Sequence, residues 1–326
     1  MIAPLVHRAA LCLAALAAAS AAAEPLTEPM RSRNLSPMIA IFGVPAWESA
    51  PDGVAELTLS GDVANNFRIS QAGEERVILD GETWRAGLVY RRRLAGGWII
   101  AGELPLVRQS GGLFDDLIDA WHSALDLPDG NRNQRPEDEL QLFYDDGATI
   151  SYFRSQSGQG IGDLQLSAAR GFGGNDDWLL KLTLKLPTGD EDILAGSGGT
   201  DAAVTAVRTS TTRWRGHPVG WFWGAGLLKL GEPEHFASRS RDWVALGMAG
   251  LSWQPFANVG LKGQLDFHSA FYHSGLEELG DVAVQASVGG WWAVDARRRL
   301  TLSLNEDLIT RAAPDVSAQL AFTWSL

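Results

Sequence analysis

The sequence contains a single cysteine and has no long apolar run beyond its first 23 residues. Cys12 lies in an N-terminal segment with a weakly basic start, an apolar run over residues 9–19, and three alanines before Glu24. This pattern is typical of a secretory signal cleaved after Ala23, so the mature chain should have no thiol or disulfide. Without an apolar run of about 18 residues, it should not cross a membrane as a helix. An exported protein of this kind is either periplasmic or an outer-membrane β-barrel.

The chain also lacks an excess of basic residues, since 27 Lys+Arg stand against 39 Asp+Glu. This acidic balance argues against nucleic acid as a partner. The acidity either keeps an exported protein soluble or attracts cations to a lumen, and both interpretations stay open. The 36 glycines and 13 tryptophans favour a barrel, because glycine is tolerated where barrel strands bend and tryptophan prefers membrane interfaces.

Apolar and polar side chains alternate along most of the chain. Leu320, Phe322 and Trp324 share one face of the last segment, and leucines alternate with Lys181, Thr183 and Lys185 in an earlier one. Such alternation predicts β-strands with one apolar face. Twelve strands are predicted, most of them near the length of about 9 to 11 residues that a tilted strand needs to cross a bilayer. They cover residues 55–63, 83–92, 98–107, 163–168, 180–186, 200–211, 219–229, 243–253, 259–268, 281–288, 300–307 and 316–326.

The connections between these strands alternate in length, as they do in outer-membrane barrels with short periplasmic turns and long outer loops. An even number of strands lets the first and last strands pair antiparallel, which removes the sheet edges. The predicted fold is therefore an all-β, closed antiparallel transmembrane barrel of about 12 strands over residues 54–326. Short connections are predicted at residues 94–97, 173–177, 213–218, 255–258 and 295–298, and long ones at 68–82, 108–160, 187–199, 231–241 and 268–280.

Two regions fall outside the strand pattern. Residues 24–53 contain five prolines, which exclude a regular strand, so this segment either trails in the periplasm or threads into the lumen. In the long loop after the third strand, apolar residues recur at helical spacing and predict one short helix. Leu117, Trp121 and His122 of this helix are candidates for a lid, although the helix could equally pack on neighbouring loops. A small hairpin is predicted around Asp145-Asp146-Gly147 in the same loop.

A series of motifs spans nearly the whole mature chain. These are RSRNLSP and IFGVPAWES near residues 31–49, DVANNF, LDGETWR, ELPLVRQSGG, DAWHSALDLPDGNR, KLPTGD followed by GSGGTD, and ELGD at 278–281. In this order they resemble a bacterial outer-membrane family known only as a domain of unknown function. The resemblance implies a barrel in a Gram-negative outer membrane. It implies no activity and no catalytic residues.

Several charged residues occupy the polar face of the predicted strands. Twelve strands lie between small barrels filled by side chains and porins of about 16 to 18 strands, so a narrow or gated conduit for an unknown small molecule is the favoured function. Alternatively, the charges only pair across a filled interior. Outer-membrane lipid and the barrel-insertion machinery are the expected partners. The predicted lumen-lining residues are Glu56, Asp62, Arg85, Glu103, Asp163, Lys181, Lys185, Lys262, Asp266 and Asp307.

Two further function classes remain as alternatives. A structural or interaction barrel whose long loops bind a partner is one of them. The other, a membrane-embedded lipid hydrolase, would use His268-Ser269 or His273-Ser274, but adjacent residues of a strand point to opposite faces and no nucleophile-elbow motif is present. The acidic loop around Asp190 does not match an EF-hand. No catalytic residue, metal or cofactor is therefore predicted.

Overall fold

The computed structural model describes residues 26–51, 53–112, 139–173, 177–308, 312–314 and 316–326. Its described part contains fifteen strands and two one-turn helices, Pro37–Ala40 and Glu277–Gly280. No helix in this part is long and apolar enough to cross a membrane. The strands are β1 (Ala55–Ala72), β2 (Glu75–Arg93), β3 (Trp98–Ser110), β4 (Gln141–Asp145), β5 (Ile150–Arg154), β6 (Gly158–Ile161), β7 (Leu164–Phe172), β8 (Trp178–Leu186), β9 (Asp201–Trp214), β10 (His217–Lys229), β11 (Trp243–Phe256), β12 (Val259–His268), β13 (Ala283–Ala293), β14 (Arg298–Asp307) and β15 (Val316–Ser325).

Twelve of these strands close into an antiparallel barrel, as predicted. The first and last strands pair over their length, with Leu59 opposite Phe322, and β2 pairs with β3. Strands β4 to β6 belong to the long connection between β3 and β7. The short connections and the start of β1 lie at one end, which is the periplasmic end in outer-membrane barrels. The long connections lie at the opposite, extracellular end.

Side-chain burial follows the alternation that the sequence predicts. In β8, Leu182 and Leu184 are 58% and 40% exposed, whereas Thr183 between them is 7% exposed. A free sheet face in water would not expose rows of leucine, so the apolar outer surface is suited to lipid. The inward face carries polar and charged side chains.

The prediction of a long loop over residues 68–82 is wrong. β1 and β2 instead continue as a hairpin to a tight turn at Gly73 and Glu74. Gly73 has a φ of 62°, which glycine adopts without strain. The hairpin extends beyond the barrel at the extracellular end. Val77 and Leu79 of this extension continue the alternation of buried and exposed side chains, and both are buried. The small hairpin predicted around Asp145-Asp146-Gly147 is present as β4 and β5, while the predicted helix with Leu117, Trp121 and His122 lies outside the described residues.

The largest apolar core lies at the extracellular end rather than along the barrel axis. Phe42 stacks on Phe271 with ring centroids 5.2 Å apart, and Tyr144 packs edge-on against Phe236. Tyr152 joins this cluster and donates a hydrogen bond of 2.8 Å to the Asp192 carbonyl. Burial raises the pKa of Tyr152 to about 12. The barrel therefore has an apolar cap on its outer mouth.

Candidate functional site

Residues 26–51 form a plug inside the barrel. Residues 28–34, its ascending limb, run parallel to β12. The amide of Gln264 bonds both backbone polar groups of Met30, at 2.8 and 3.0 Å. Higher up, the Asn34 side-chain nitrogen lies 2.8 Å from His268 Nε2. Residues 41–50, the descending limb, then return toward the start of β1.

At the periplasmic level the plug presents acids to basic wall residues. Glu28 accepts from Arg91 at 2.9 Å and from Arg299 at 3.1 Å, and its carbonyl accepts from Lys262 at 2.6 Å. Arg91 also bonds Glu56 at 2.5 Å. These groups are buried, so each charge needs a partner close by.

At mid-height the signs reverse, because here the plug presents arginines to wall acids. Glu103 accepts two hydrogen bonds of 2.7 Å from Arg33 and one of 3.1 Å from Arg31. Arg85 bonds the same carboxylate and lies 4.0 Å from Asp62. Three guanidinium groups thus converge on a single buried glutamate, whose removal would leave them without their shared counter-charge.

Near the extracellular mouth a buried lysine joins the plug to two wall acids. Lys185 contacts Asp163 at 2.7 Å and Asp201 at 3.2 Å, and it lies 3.3 Å from the Ile41 carbonyl. Asp201 also accepts from the Gly43 backbone N–H at 2.7 Å. An added Cβ at Gly43 would lie 2.8 Å from Lys185 Cβ, so the close approach requires glycine.

The plug does not fill the lumen evenly. A narrow cleft of about 40 Å³, with room for only a few water molecules, lies between the plug and the inner faces of β3, β7 and β8. A second cleft, of about 20 Å³, lies deeper along the same wall. Both are lined by Gln165, whose backbone pairs with Glu103 on one side and Lys185 on the other. The two clefts therefore follow one wall of the barrel.

The deeper cleft has a small, polar wall. Ala101, Ser167 and Thr183 lie side by side on three neighbouring strands, with Lys181 and Glu48 nearby. The Thr183 hydroxyl is buried, and within the described residues it makes no hydrogen bond to protein. A buried hydroxyl in a polar cleft is suited to contact water or a polar solute.

Below this cleft, apolar side chains close the wall against the plug. Ile99, Ala169 and Leu179 are buried together, and Ala50 of the descending limb packs on them. Ile99 and Ala169 are cross-strand partners in the row below Ala101 and Ser167. The cleft thus ends at an apolar contact near the periplasmic side.

Comparisons with known proteins agree with this architecture. A family model described as "Protein of unknown function (DUF3187)" matches residues 5–326. The chain belongs to the DUF3187 family. Among curated proteins, none matches it.

The fold resembles solved outer-membrane barrels. The COG4313 outer membrane channel from Pseudomonas putida F1 has a TM-score of 0.55 and 14% identity, over 85% of this chain and 97% of that one. The KdgM porin has a TM-score of 0.42 and 6% identity, over 83% and 99% of the two chains. The Ralstonia pickettii toluene transporter TbuX has a TM-score of 0.37 and 9% identity, over 85% and 90%. At such identities the likeness shows the fold, an outer-membrane β-barrel, and no activity.

The structure buries eight of the ten predicted lumen residues and brings most of them together through the plug. Asp266 is half-buried and accepts from Ser32 of the plug, whereas Asp307 is half-buried near the extracellular end. Sequence reasoning missed several other charged residues. The alternation of side chains along each strand could have identified Arg91, Arg299 and Asp201, because they lie on the inward face together with the predicted lumen residues. The missed residues are Glu28, Arg31, Arg33, Glu48, Arg91, Asp201 and Arg299.

The side chains of the two histidine–serine pairs make contacts that hold the structure together. The ring nitrogens of His268 contact Asn34 and the Ser269 carbonyl, while the Ser269 hydroxyl accepts from the Ala245 backbone at 2.9 Å. The Ser274 hydroxyl donates to Glu75 at 2.9 Å. Among the described residues no group of three or more metal-ligating side chains is placed to hold an ion. These contacts give no support to a nucleophile and base pair.

Proposed function

We propose that this protein is a narrow, gated conduit for small hydrophilic solutes across the outer membrane. The observation that carries the proposal is the pair of clefts that share Gln165 and follow the inner faces of β3, β7 and β8. The plug is bonded to the opposite wall along β12, and on the cleft side it is bonded through Glu103, Lys181 and Lys185, with the clefts lying between these contacts. A solute would pass between the plug and this wall.

The lining chemistry supports a polar solute. Arg33, Arg85, Asp163 and Lys185 border the upper cleft, and Glu103 with Lys181 borders the lower one. Charged and hydroxyl side chains of both signs can replace part of the hydration shell of a passing polar molecule. An apolar solute would gain nothing from these groups and would leave them without hydration.

The apolar contact of Ala50 with Ile99, Ala169 and Leu179 is the proposed gate. A dry, apolar constriction blocks ions and polar solutes because water leaves it, and it opens when the two sides separate by a small distance. In this protein the separation would be a movement of the lower descending limb away from β3, β7 and β8.

Planar-bilayer recordings with a matched pair of tryptophan variants test the path. Thr183→Trp places a large ring in the lower cleft, whereas Leu182→Trp on the same strand faces lipid. We expect wild type and Leu182→Trp to give the same unitary conductance and Thr183→Trp to give less than a tenth of it. Equal currents from both variants would place any conduction elsewhere, and silence of correctly folded wild type over many insertions would reject the conduit.

Thiol labelling gives a second readout that needs no current. With Cys12 removed in the expected signal, the mature chain has no thiol, so single cysteines can be introduced freely. Ser167→Cys lies in the lower cleft, and Ser287→Cys is buried on the opposite wall in β13. A small charged thiol reagent should label the first much faster than the second. Equal rates would contradict a path confined to the β3, β7 and β8 wall.

A structural barrel is the second candidate, and one observation favours it. The plug is joined to the wall by buried ion pairs at the periplasmic level and at mid-height and by hydrogen bonds near the extracellular mouth, which together resemble a permanently filled interior. This candidate predicts no conductance and slow labelling at both cysteine positions.

A further inference from the structure

Three arginines stack on tryptophans at the periplasmic end of the barrel. The guanidinium carbon of Arg170 lies 5.6 Å from the centre of the Trp98 ring, that of Arg208 lies 5.4 Å from Trp178, and that of Arg215 lies 4.9 Å from Trp214. Trp98 and Trp214 are 46% and 55% exposed, although each is among the largest apolar side chains of the protein. Exposed tryptophans at this level face the lipid interface.

These pairs lie on one continuous part of the wall. Trp98 of β3 is the cross-strand partner of Arg170 of β7, and Trp178 of β8 is the partner of Arg208 of β9. β7 pairs directly with β8, and β9 continues to Trp214 at its periplasmic end. The pairs therefore form one strip from β3 to β9. The inner face of the same wall carries the gate residues Ile99, Ala169 and Leu179.

The described part of the periplasmic rim carries eight arginines. Its arginines outnumber its acids in the described residues, where the rim acids are Asp177, 3.6 Å from Arg208, and Asp295, which pairs with Arg298. The extracellular loops are instead rich in acids, such as Asp190, Glu232 and Glu277. The rim arginines are Arg92, Arg93, Arg170, Arg208, Arg213, Arg215, Arg297 and Arg298.

We propose that the strip from β3 to β9 binds the headgroups of anionic phospholipids in the periplasmic leaflet. The tryptophan ring would sit at the level of the glycerol backbone and hold the guanidinium flat against it. The guanidinium would then offer paired N–H donors to the lipid phosphate. Stacking fixes the arginine without using its donors, so less side-chain entropy is lost on binding. The neighbouring arginines of the rim add attraction for the phosphate charge, which no cation of the headgroup compensates in an anionic lipid.

The alternative partners fit this strip less well. A soluble anion would not use the exposed rings, and a zwitterionic lipid would bring its own cation beside the guanidinium. An acidic protein could use the charge, but the rings lie at the lipid boundary among outward leucines such as Leu180. A lipid with a net negative headgroup can contact the apolar ring and the cation together, because both lie at the level of the lipid headgroups.

Lipid-specific fluorescence quenching tests this proposal on the full mature chain. The protein is folded into phosphatidylcholine vesicles that contain phosphatidylglycerol, with bromine placed on the acyl chains of one lipid or the other. The ratio of the two quenching efficiencies reports which lipid is enriched beside the tryptophans. We expect brominated phosphatidylglycerol to quench several times more strongly in wild type.

Two double variants separate a site from general charge attraction. Arg170→Gln with Arg215→Gln removes two stacked cations, and Arg92→Gln with Arg297→Gln removes two rim cations for which the described structure shows no ring contact. The first should lower the several-fold preference to nearly one, and the second should lower it by much less. Folding is checked by heat-modifiable mobility. Equal reductions in both variants, or no preference in wild type, would overturn the proposal.

Discussion

The side-chain amide of Gln264 bonds both the N–H and the carbonyl of Met30, across 234 residues of sequence. The same separation of 234 residues recurs between Glu28 and Lys262, Asn34 and His268, and Met38 and Tyr272. A constant offset means that the plug and β12 advance in the same direction at nearly the same rise per residue. The ascending limb is therefore held like an additional parallel strand, but by side chains rather than by a backbone ladder.

Removal of the Gln264 amide should loosen the plug without unfolding the barrel. Gln264→Ala leaves the buried N–H and carbonyl of Met30 without partners, at a cost of about 1 to 3 kcal/mol. Trypsin should then cut after Arg31 or Arg33, which the barrel encloses in wild type, and mass spectrometry would detect the shortened chain.

Gln285→Ala is the matched control for this prediction. Gln285 faces inward on the neighbouring strand β13, is buried, and its side-chain nitrogen makes no hydrogen bond to protein within the described residues. Trypsin should leave the plug of this variant intact. Cleavage at the same rate in both variants would mean that the plug is not held by the Met30 contact.

Loss of charge at Glu103 should be much more damaging. Glu103→Gln leaves Arg31, Arg33 and Arg85 around a neutral amide in a buried site, which should lower the free energy of unfolding by about 3 to 5 kcal/mol. Denaturant titration in lipid or detergent measures this change. Glu306→Gln, an exposed glutamate on β14, should change it little, and a similar effect at both sites would argue against the central role of Glu103.

The proposed gate predicts a gain of conductance. Leu179→Ser removes apolar surface from the contact with Ala50 and lets water enter, so bilayer recordings should show longer or larger openings than wild type. Leu180→Ser, on the lipid-facing side of the same strand, should not have this effect. Unchanged gating in Leu179→Ser would locate the closure at another level of the plug.

The sequence predicts the barrel well because each strand repeats a local rule. In β8 and β15 the alternation alone assigns every side chain to the lipid or the lumen, and the burial agrees. The hairpin above β1 and β2 was missed because Asn65, Asn66 and the polar residues near Gly73 interrupt that alternation. The strand nevertheless continues there, since Val77 and Leu79 pack in the apolar cap on the outer mouth.

The contacts between the plug and the barrel wall cannot be predicted from a local sequence pattern. Prolines in residues 24–53 exclude a regular strand, but they leave open whether the segment lies inside or outside the barrel. The pairing of Arg33 with Glu103 depends on the three-dimensional path of a segment that has no strand to fix its register. The contacts between the plug and β12 join residues 234 positions apart, so no local sequence pattern predicts them. The charged wall residues could therefore be predicted individually, while their partners in the plug could not.

The aromatic end of β15 should matter for insertion. Trp324 is exposed on the lipid side near the periplasmic rim, and Phe322 lies one row above it between Leu59 and Leu300. Replacing both by serine removes interfacial aromatic surface and should lower the yield of folded protein in the outer membrane. Heat-modifiable mobility of membrane fractions gives the measurement. Undiminished yield from the double variant would show that assembly does not depend on this aromatic pair.

The parity of β8 provides the sharpest test of the membrane orientation, because a shift of one residue would exchange lipid-facing and inward side chains over the whole strand. Leu184→Arg places a charge against lipid and should cost about 2 to 4 kcal/mol if the position lies near the bilayer midplane. Thr183→Arg faces the cleft, where water can hydrate the charge, so it should cost far less. Folding equilibria in lipid vesicles compare the two variants directly. A larger cost at Thr183, or equal costs at both positions, would contradict the assignment of Leu184 to the lipid-facing surface.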